Sequence, residues 1–375
     1  MPQARTSYLD HNATAPVRPE AAAAMAAALG TLGNPSSVHR FGRAARKLIE
    51  DSRTGVAALV GAAPDRLVFT SGGTEANNIA IMGAGRGRVL VSAIEHDSVL
   101  QANPAAERVP VGRDGVVDLE ALDRMLDVES VPALVSVMLA NNETGVVQPI
   151  AEVVAIARSR AALVHCDAVQ ACGRMQIDLA ALGVDLLTLS AHKIGGPAGI
   201  GALVVGERID PQPLTIGGGQ ERGLRPGTEN VAGIAGFAAA ARIAATAIAD
   251  HGRLGALRDR FERAISGTAP DAIIFGQGAP RLDNTSCVTM PGVAAETQVM
   301  ALDLAGVAVS AGAACSSGKV APSHVLAAMG AAAAAGEAIR VSLGWTSVDA
   351  DIDHAITAWR AVHARAGSAA ARTAA

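Results

Sequence analysis

The chain has very few aromatic residues. Phenylalanine, tryptophan and tyrosine together make up 2% of its 375 residues, whereas hydrophobic residues of all kinds make up 50%. The interior must therefore be built mainly from Ala, Val, Leu and Ile, which requires close approach of the backbones. A chain of this length is long for one hydrophobic core, so two domains are expected.

The sequence also lacks the charge patterns of proteins that bind nucleic acids or membrane surfaces. Its formal net charge is -4, and it contains no basic stripe and no polybasic segment. We therefore expect a small-molecule substrate, with no nucleic acid and no membrane among the partners. The most apolar segment, 231–248, is rich in alanine and contains Arg242, which favours a packed helix over a membrane span.

The four cysteines show no pairing pattern. Cys166, Cys172, Cys287 and Cys315 form no C-x-x-C motif and no Cys/His spacing typical of a metal site, so no resident metal is predicted. The first residues do not resemble a signal peptide. These absences predict a cytoplasmic protein with reduced thiols.

Short apolar strands alternate with helices from Leu67 to about residue 248. The strands lack the polar alternation of a sheet with one solvated face. This pattern is typical of an α/β protein with a mostly parallel sheet that is covered on both faces. After residue 248 the alternation weakens, and strands are expected at 272–275, 284–290 and 339–342 in a second, smaller domain.

Polar residues follow four of the predicted strands at the point where each strand ends. His96 follows the strand at 88–93, Asn142 follows the strand at 133–140, and Asp167 and Lys193 follow strands of their own. Ligands of open parallel sheets bind beyond the carboxyl ends of the strands. We therefore expect these four side chains to converge on one edge of the sheet.

Lys193 leaves an apolar strand and enters the turn Gly195-Gly196-Pro197. A single lysine in this position is usually solvated. Asp167 and the turn Gly72-Gly73-Thr74, which runs into a predicted helix, change this interpretation. Together they offer an amine for a Schiff base, an anion for a pyridinium nitrogen and a helix N-terminus for a phosphate, which are the groups that pyridoxal phosphate (PLP) requires.

Four motifs resemble those of the PLP-dependent cysteine desulfurases of the NifS/IscS type, within the class V aminotransferase group. They are Ser190-Ala191-His192-Lys193, Asp167-Ala168-Val169-Gln170, Arg225-Pro226-Gly227-Thr228 and Ala313-Ala314-Cys315-Ser316-Ser317-Gly318. The similarity runs from Tyr8 to Gly344, which is nearly the whole chain. The resemblance implies fold type I of the PLP-dependent transferases. Residues 13–247 would form a large domain with a mostly parallel, seven-stranded sheet, and residues 1–12 with 248–375 a smaller α+β domain.

The resemblance also implies how PLP is bound. Lys193 would carry the cofactor as an internal aldimine and then move the alpha proton of the substrate, and Asp167 would keep the ring nitrogen protonated. His96 would stack on the ring as a further catalytic residue. The other implied cofactor contacts are Gly73, Thr74, Asn142, Gln170, Ser190, His192 and Thr228.

Arg340 lies inside an apolar strand, where a guanidinium favours a planar anion as its partner. By the resemblance it would bind the substrate carboxylate, with Asn142 and Asn34 as further substrate contacts. Cys315 lies in a run of small residues without helical or strand periodicity, which predicts a loop. By the resemblance it is the nucleophile that takes sulfur from L-cysteine, which leaves L-alanine and a Cys315 persulfide, and it is a candidate transient iron–sulfur ligand.

The resemblance further implies a homodimer, in which Thr228 reaches the phosphate of the neighbouring subunit. An iron–sulfur scaffold or another sulfur-acceptor protein would be a partner. The sequence does not separate nitrogenase maturation, general iron–sulfur assembly and tRNA thiolation.

Other interpretations stay open at this point. A selenocysteine lyase or a class V aminotransferase would use the same residues except Cys315. A non-catalytic sulfur carrier with this fold would have no physical reason to keep Lys193 opposite Asp167. Singly, a histidine after a strand is more often structural, and a Gly-Gly-Thr turn is equally suited to a plain helix N-cap.

Overall fold

The structure is a computed structural model, and it describes residues 6–128, 131–312 and 322–373. Its strands are β1 (Ser7–Tyr8), β2 (Leu67–Thr70), β3 (Arg88–Ser92), β4 (Glu107–Val109), β5 (Ala133–Ser136), β6 (Leu163–Asp167), β7 (Leu186–Ser190), β8 (Gly201–Val205), β9 (Thr285–Thr289), β10 (Val307–Ala308), β11 (Ser310–Ala311) and β12 (Ala338–Ser342).

The helices connect these strands and cover them. They are α1 (Pro19–Leu29), α2 (Arg40–Ala58), α3 (Gly73–Gly83), α4 (Asp97–Leu100), α5 (Leu119–Asp127), α6 (Ile150–Ser159), α7 (Leu179–Leu182), α8 (Val231–Ala247), α9 (His251–Thr268), α10 (Ala295–Leu304), α11 (His324–Ala328) and α12 (Asp349–Thr373).

The larger sheet has seven strands in the order β2-β8-β7-β6-β5-β3-β4. The neighbours from β7 to β4 run parallel, whereas β8 is antiparallel to both of its neighbours. This confirms the prediction of an α/β protein with a mostly parallel, seven-stranded sheet. Because the parallel strands point the same way, their carboxyl ends lie along one edge of the sheet.

The first hydrophobic core surrounds this sheet and contains only two aromatic rings among its described residues, Phe69 and Phe237. The alanine-rich helix α8 packs against α1 and α2 in this core. A Cβ added at Gly236 of α8 would lie 2.6 Å from Met25 Cγ of α1. The two helices therefore approach each other as closely as a residue without a side chain allows, which a core with few large side chains requires.

A second core contains Phe261 and Trp359 and lies around α9, α10, α12 and a three-stranded antiparallel sheet of order β11-β12-β9. The N-terminal segment joins this region, because β1 pairs in parallel with β10 and Asp10 forms a bridge to Ser342. The exact bounds of the two domains, at 12/13 and 247/248, stay a prediction.

Two expected strands differ from the structure. Residues 272–275 form no strand, because backbone turns close on both sides of them and only Ile274 bridges to Val288 of β9. The strand predicted at 133–140 ends at Ser136, although the backbone of Val137 still donates to His165 of β6. In both cases apolar sequence continues where the regular pairing does not.

Among the described residues, one helical stretch, Val231–Asp250, has the length and composition of a membrane span. Of its most apolar window, 56% is buried inside the fold. A core helix of a globular protein has the same properties, and this one packs against α1 and α2.

Candidate active site

A cavity of about 270 Å³ lies at the carboxyl ends of the parallel strands. His96, Asn142 and Lys193, which follow β3, β5 and β7 along the chain, line it together with Asp167, the last residue of β6. The structure therefore brings together the four side chains that the sequence predicted to converge. The cavity is also lined by Gly73, Thr74, Asn77, Ser98, Gln170, Ser190 and His192.

Lys193 lies in a 3-10 turn, Ala191–Lys193, directly after β7. Its Nζ donates to the backbone oxygens of Asn12 at 2.6 Å and Ala13 at 2.7 Å. The chain then reverses through Gly195, whose φ of +83° favours glycine, and enters β8. Lys193 thus lies in the connection between β7 and β8, two hydrogen-bonded antiparallel strands. It also lines a second cavity of about 250 Å³.

Asp167 is buried at the end of β6, and its carboxylate has two donors. Oδ1 accepts from the backbone of Val169 at 2.9 Å, and Oδ2 accepts from Asn77 Nδ2 at 2.8 Å. Asn77 is buried on α3 and was not singled out from the sequence. These donors fix the direction of the carboxylate before any ligand binds.

His96 is joined to the same network through Ser98. Its Nδ1 accepts from the backbone N–H of Ser98 at 3.1 Å and lies 2.8 Å from Ser98 Oγ. Asn77 Nδ2 donates to that hydroxyl at 2.8 Å. Because Nδ1 accepts a backbone N–H, the proton of the neutral imidazole is on Nε2.

The N-terminus of α3 opens into the cavity at Gly73 and Thr74. The unpaired N–H groups of a helix start and the helix dipole favour an anion there. Ser190 and His192 line the same cavity. Burial, with a smaller contribution from the Lys193 charge, lowers the pKa of His192 to about 4, so its imidazole is neutral at pH 7.

Gln170 has a fixed amide orientation. Its Oε1 accepts from Nη1 of Arg174, and its Nε2 donates to the backbone oxygen of Asn12 at 3.1 Å. Because a guanidinium has donors only, the orientation with Oε1 toward Arg174 is the one that it imposes. Burial, followed by the nearby Arg340, lowers the pKa of Arg174 to about 9.

Arg340 is buried in β12 and does not line the cavity of the other predicted residues. Its Nη2 contacts Asp10 Oδ1 at 2.7 Å, and its Nη1 donates to the backbone oxygen of Asn142 at 3.1 Å. Asp10 also accepts from Ser310 Oγ at 3.0 Å. The guanidinium of Arg340 therefore lies next to the backbone of Asn142, a cavity residue. A bound substrate carboxylate would contact this guanidinium together with Asp10.

Three predicted site residues are not part of this arrangement. Asn34 and Thr228 are exposed and do not line the cavity. Cys315 lies outside the described residues. Gly312 and Ser323, which lie before and after residues 313–321, both lie against the buried carboxylate of Glu143. A Cβ added at Gly312 would be 2.8 Å from Glu143 Oε2, and this oxygen accepts a hydrogen bond from Ser323 Oγ at 2.6 Å.

The other cysteines are buried. Burial raises the pKa of the Cys172 thiol to about 12 and moves the pKa values of Cys166 and Cys287 above their ordinary range. All three are therefore neutral thiols at pH 7, with little nucleophilic character. Within the described ranges, no group of three or more His, Cys, Asp or Glu side chains could hold a metal ion.

Residues 7–354 match the family model described as aminotransferase class-V. The chain is 41% identical over 384 residues to the IscS-like cysteine desulfurase of Mycobacterium tuberculosis (strain ATCC 25618 / H37Rv), with 97% of this chain and 98% of that protein covered. It is 44% identical over 362 residues to the cysteine desulfurase of Cereibacter sphaeroides, with 92% of each covered. The X-ray structure of a NifS-like protein from Rickettsia africae ESF-5 superposes with a TM-score of 0.89 at 36% identity, covering 96% of this chain and 99% of that one. With the match spanning nearly its whole length, the chain belongs to the aminotransferase class-V family.

Proposed function

We propose that the protein is a PLP-dependent cysteine desulfurase, which converts L-cysteine to L-alanine and takes up the sulfur on Cys315. One observation carries the proposal: Lys193, Asp167 and the start of α3 line a single cavity. The sequence identity to cysteine desulfurases over nearly the whole chain supports the same activity.

The residues of the cavity fit PLP in their chemistry. Asp167 is a buried carboxylate whose oxygens are already held by Val169 N and Asn77 Nδ2, so it suits a protonated ring nitrogen. The N-terminus of α3 suits the phosphate, and Lys193 is the lysine that lines the cavity. When bound, PLP supplies an electron sink for the electrons of the substrate Cα–H bond.

The chain's own residues then have distinct tasks. Lys193 Nζ would hold the cofactor and would take the proton from the substrate Cα. Asp167 would keep the ring nitrogen charged, and Asn77 keeps Asp167 in place. His96 would lie against the ring.

The remaining residues bind the two ends of the ligands. Gly73 and Thr74 would hold the phosphate with Ser190 and His192, and Gln170 would donate to the phenolic oxygen of the cofactor. Arg340 binds the substrate carboxylate as a planar pair, with Asn142 and Asn34 as further contacts.

Cys315 performs the sulfur transfer. Its thiolate attacks the substrate sulfur, so that an S–S bond forms while the Cβ–S bond breaks. The electron pair of the broken bond goes to the alanyl fragment, which is then protonated to give alanine. The family resemblance of the Cys315 segment supports this step, as does the inertness of the three buried thiols.

Replacement of Cys315 tests the activity most directly. Cys315→Ala should still bind PLP and still change its absorption spectrum on addition of L-cysteine, because Lys193 and Asp167 are intact. Sulfide and alanine release should fall by several orders of magnitude, as after the loss of a catalytic nucleophile. The matched control, Cys172→Ala, removes a buried thiol and should keep the activity. If Cys315→Ala releases sulfide at near the parent rate, the persulfide mechanism is wrong and a lyase mechanism takes its place.

The attachment site can be tested separately. The chain contains only three lysines, Lys47, Lys193 and Lys319, so borohydride reduction followed by peptide mapping gives an unambiguous answer. The proposal expects the label on Lys193. A label on either other lysine would contradict it.

A homodimer is part of this proposal, with Thr228 of one subunit contacting the phosphate bound by the other. Thr228 is exposed and does not line the cavity of its own chain, so it is free to contact a neighbouring subunit. Sedimentation should give a dimer. Thr228→Ala should weaken PLP binding, while the two subunits stay associated. An iron–sulfur scaffold or other sulfur acceptor and a cytoplasmic location complete the proposal.

A further inference from the structure

The backbone of Asn12 holds the catalytic lysine. Asn12 is 1% exposed, and its carbonyl oxygen accepts from Lys193 Nζ at 2.6 Å and from Gln170 Nε2 at 3.1 Å. Its own N–H donates to Ser342 Oγ at 3.0 Å. One peptide segment thus contacts the proposed base, a proposed cofactor contact and the strand β12.

The amine of Lys193 has two acceptors on this segment, because the backbone oxygen of Ala13 lies 2.7 Å from Nζ. An amine that donates to two carbonyl oxygens has a fixed rotation about its Cε–Nζ bond. In the neutral form its lone pair then points away from the two oxygens. The segment therefore orients the atom that is to take a proton.

The side chain of Asn12 uses its full hydrogen-bonding capacity. Its Oδ1 accepts from Arg174 Nη1 at 2.8 Å and from Asn284 Nδ2 at 3.0 Å. Its Nδ2 donates to the backbone oxygen of Asn142 at 3.1 Å and to Thr285 Oγ1 at 2.9 Å. An amide with two filled acceptor positions and two used donors has one possible orientation.

These partners come from both sheets. Arg174 and Asn142 follow strands of the seven-stranded sheet, whereas Asn284 and Thr285 lie at the start of β9 in the three-stranded sheet. Asn142 O also accepts from Arg340 Nη1 at 3.1 Å. Asn12 and the proposed substrate-binding arginine therefore share one acceptor.

We propose that Asn12 is a positioning residue, which orients Lys193 for proton transfer and couples that orientation to the strand that carries Arg340. This inference rests on one part of the proposed function, namely that Lys193 transfers the Cα proton. Asn12 was not singled out from the sequence as a site residue, and its contribution acts through Lys193 and Asn142.

The variants Asn12→Ala and Asn12→Asp test the inference. Asn12→Ala removes the whole amide, whereas Asn12→Asp keeps an acceptor for Arg174 and places a second carboxylate oxygen against the Asn142 carbonyl. The measurement is the exchange of the Cα hydrogen of L-alanine in D2O, followed by ¹H NMR, with PLP-loaded protein in a Cys315→Ala background. This exchange requires the proton transfer but no sulfur chemistry.

Both variants should exchange on the order of 10²-fold more slowly per bound PLP, as expected when a reacting group is displaced by about 1 Å. The alanine concentration at half-saturation should change little. Wild-type exchange per bound PLP in either variant would overturn the proposal, because a merely structural residue would lower PLP content and stability without slowing the exchange per site.

A second readout does not need the cofactor. In the protein without PLP, the rate of reductive methylation of Lys193 can be compared with that of exposed Lys47 in the same chain. We expect Lys193 to react several-fold faster in Asn12→Ala than in the parent, because its two carbonyl acceptors are displaced. An unchanged ratio would contradict the proposal.

Ser7→Ala is the matched control. Ser7 is buried in the same N-terminal segment and donates to Asp351 Oδ1 at 3.0 Å, away from Lys193. It should lower stability while both readouts stay at parent values. If the parent exchanges alanine but releases no sulfide from cysteine, the desulfurase assignment fails while the role of Asn12 stands.

Discussion

The two sheets meet at the candidate active site but contribute to it differently. The parallel strands of the seven-stranded sheet deliver His96, Asp167 and Lys193 from their carboxyl ends straight into the cavity. The three-stranded sheet contributes Arg340 from within β12, and its guanidinium reaches the site through the Asn142 backbone and is paired with Asp10. Strand topology positions the first group, whereas contacts between distant segments position the second.

The cores behind the two sheets differ as well. Among the described residues each core contains two aromatic rings, but the first is larger and includes closely packed alanine-rich helices, whereas the second is smaller and includes the indole of Trp359. A small core that depends on a few large side chains loses a greater share of its stability when one is removed. The cofactor edge and the substrate side of the site should therefore respond differently to mutation.

The largest effect should come from the seven-stranded sheet. Lys193→Ala removes the residue proposed as both the attachment point and the base, so sulfide and alanine release from L-cysteine should fall by several orders of magnitude. Lys47→Ala, in an exposed pair with Asp51 on α2, is the control and should keep the parent rate. Substantial residual turnover in Lys193→Ala would remove the distinction between the two sheets.

The next largest effect concerns the second core. Trp359→Ala should destabilise the protein by about 3–5 kcal/mol, the usual cost of deleting a buried aromatic ring. Chemical denaturation measures the change, and PLP absorption should show whether the cofactor edge stays folded while the second core opens. Trp359→Phe, which keeps most of the apolar surface, should cost clearly less. Equal midpoints for parent and Trp359→Ala would contradict the contrast between the cores.

Arg340→Lys should lower kcat/KM by about 10-fold to 100-fold, the value of a hydrogen-bonded contact to a charged group. The loss should appear mainly in KM for L-cysteine, because an ammonium cannot form the planar pair. Steady-state kinetics measures the split. A fall in kcat at constant KM would instead indicate that Arg340 acts on the reacting groups in the cavity and does not bind the substrate carboxylate.

The smallest effect is a pH dependence of the stability of the fold, which comes from a buried histidine in the seven-stranded sheet. Burial lowers the pKa of His165 in β6 to about 4, below the ordinary value near 6.5. Between these values the unfolded chain binds a proton that the folded chain does not, so stability is complete above pH 6.5 and falls as the pH drops toward 4. Thermal melting at pH 7 and pH 5 should show this fall. His165→Gln, which cannot be protonated, should have a flatter profile, and an unchanged slope would contradict the assignment.

The residue pattern predicted a mostly parallel sheet and the convergence of His96, Asn142, Asp167 and Lys193, whereas the number of seven strands was implied by the family resemblance. The convergence has one physical reason. Parallel strands share an edge, so residues that follow successive strands must meet, whatever their separation along the chain. Strand lengths were less predictable. Apolar residues continue beyond Ser136, but regular pairing does not.

Asn77 and Asn12 could not be found in this way. Asn77 lies on a helix with its partner Asp167 90 positions away, and the carbonyl of Asn12 accepts from Gln170 158 positions away. Nothing in the local periodicity distinguishes a buried asparagine of this kind from an exposed one. Only the completed fold shows that the side chain of Asn12 makes four hydrogen bonds and that both donors of Asn77 Nδ2 are used, by Ser98 and Asp167.

The pairing of residues 7–10 with β10 and β12 affects the order in which parts of the protein can fold during synthesis. Asp10 and its partner Arg340 are 330 positions apart, and β1 pairs with β10. All strands of the seven-stranded sheet leave the ribosome before residue 206, so this region can begin to fold while β9 to β12 are still being synthesised. Contacts between chain ends also form slowly because a long loop must close first. A nascent chain therefore carries Lys193 before Asn12 can reach its partners in β9 and β12, and we expect the docking of residues 6–12 to complete the candidate active site last.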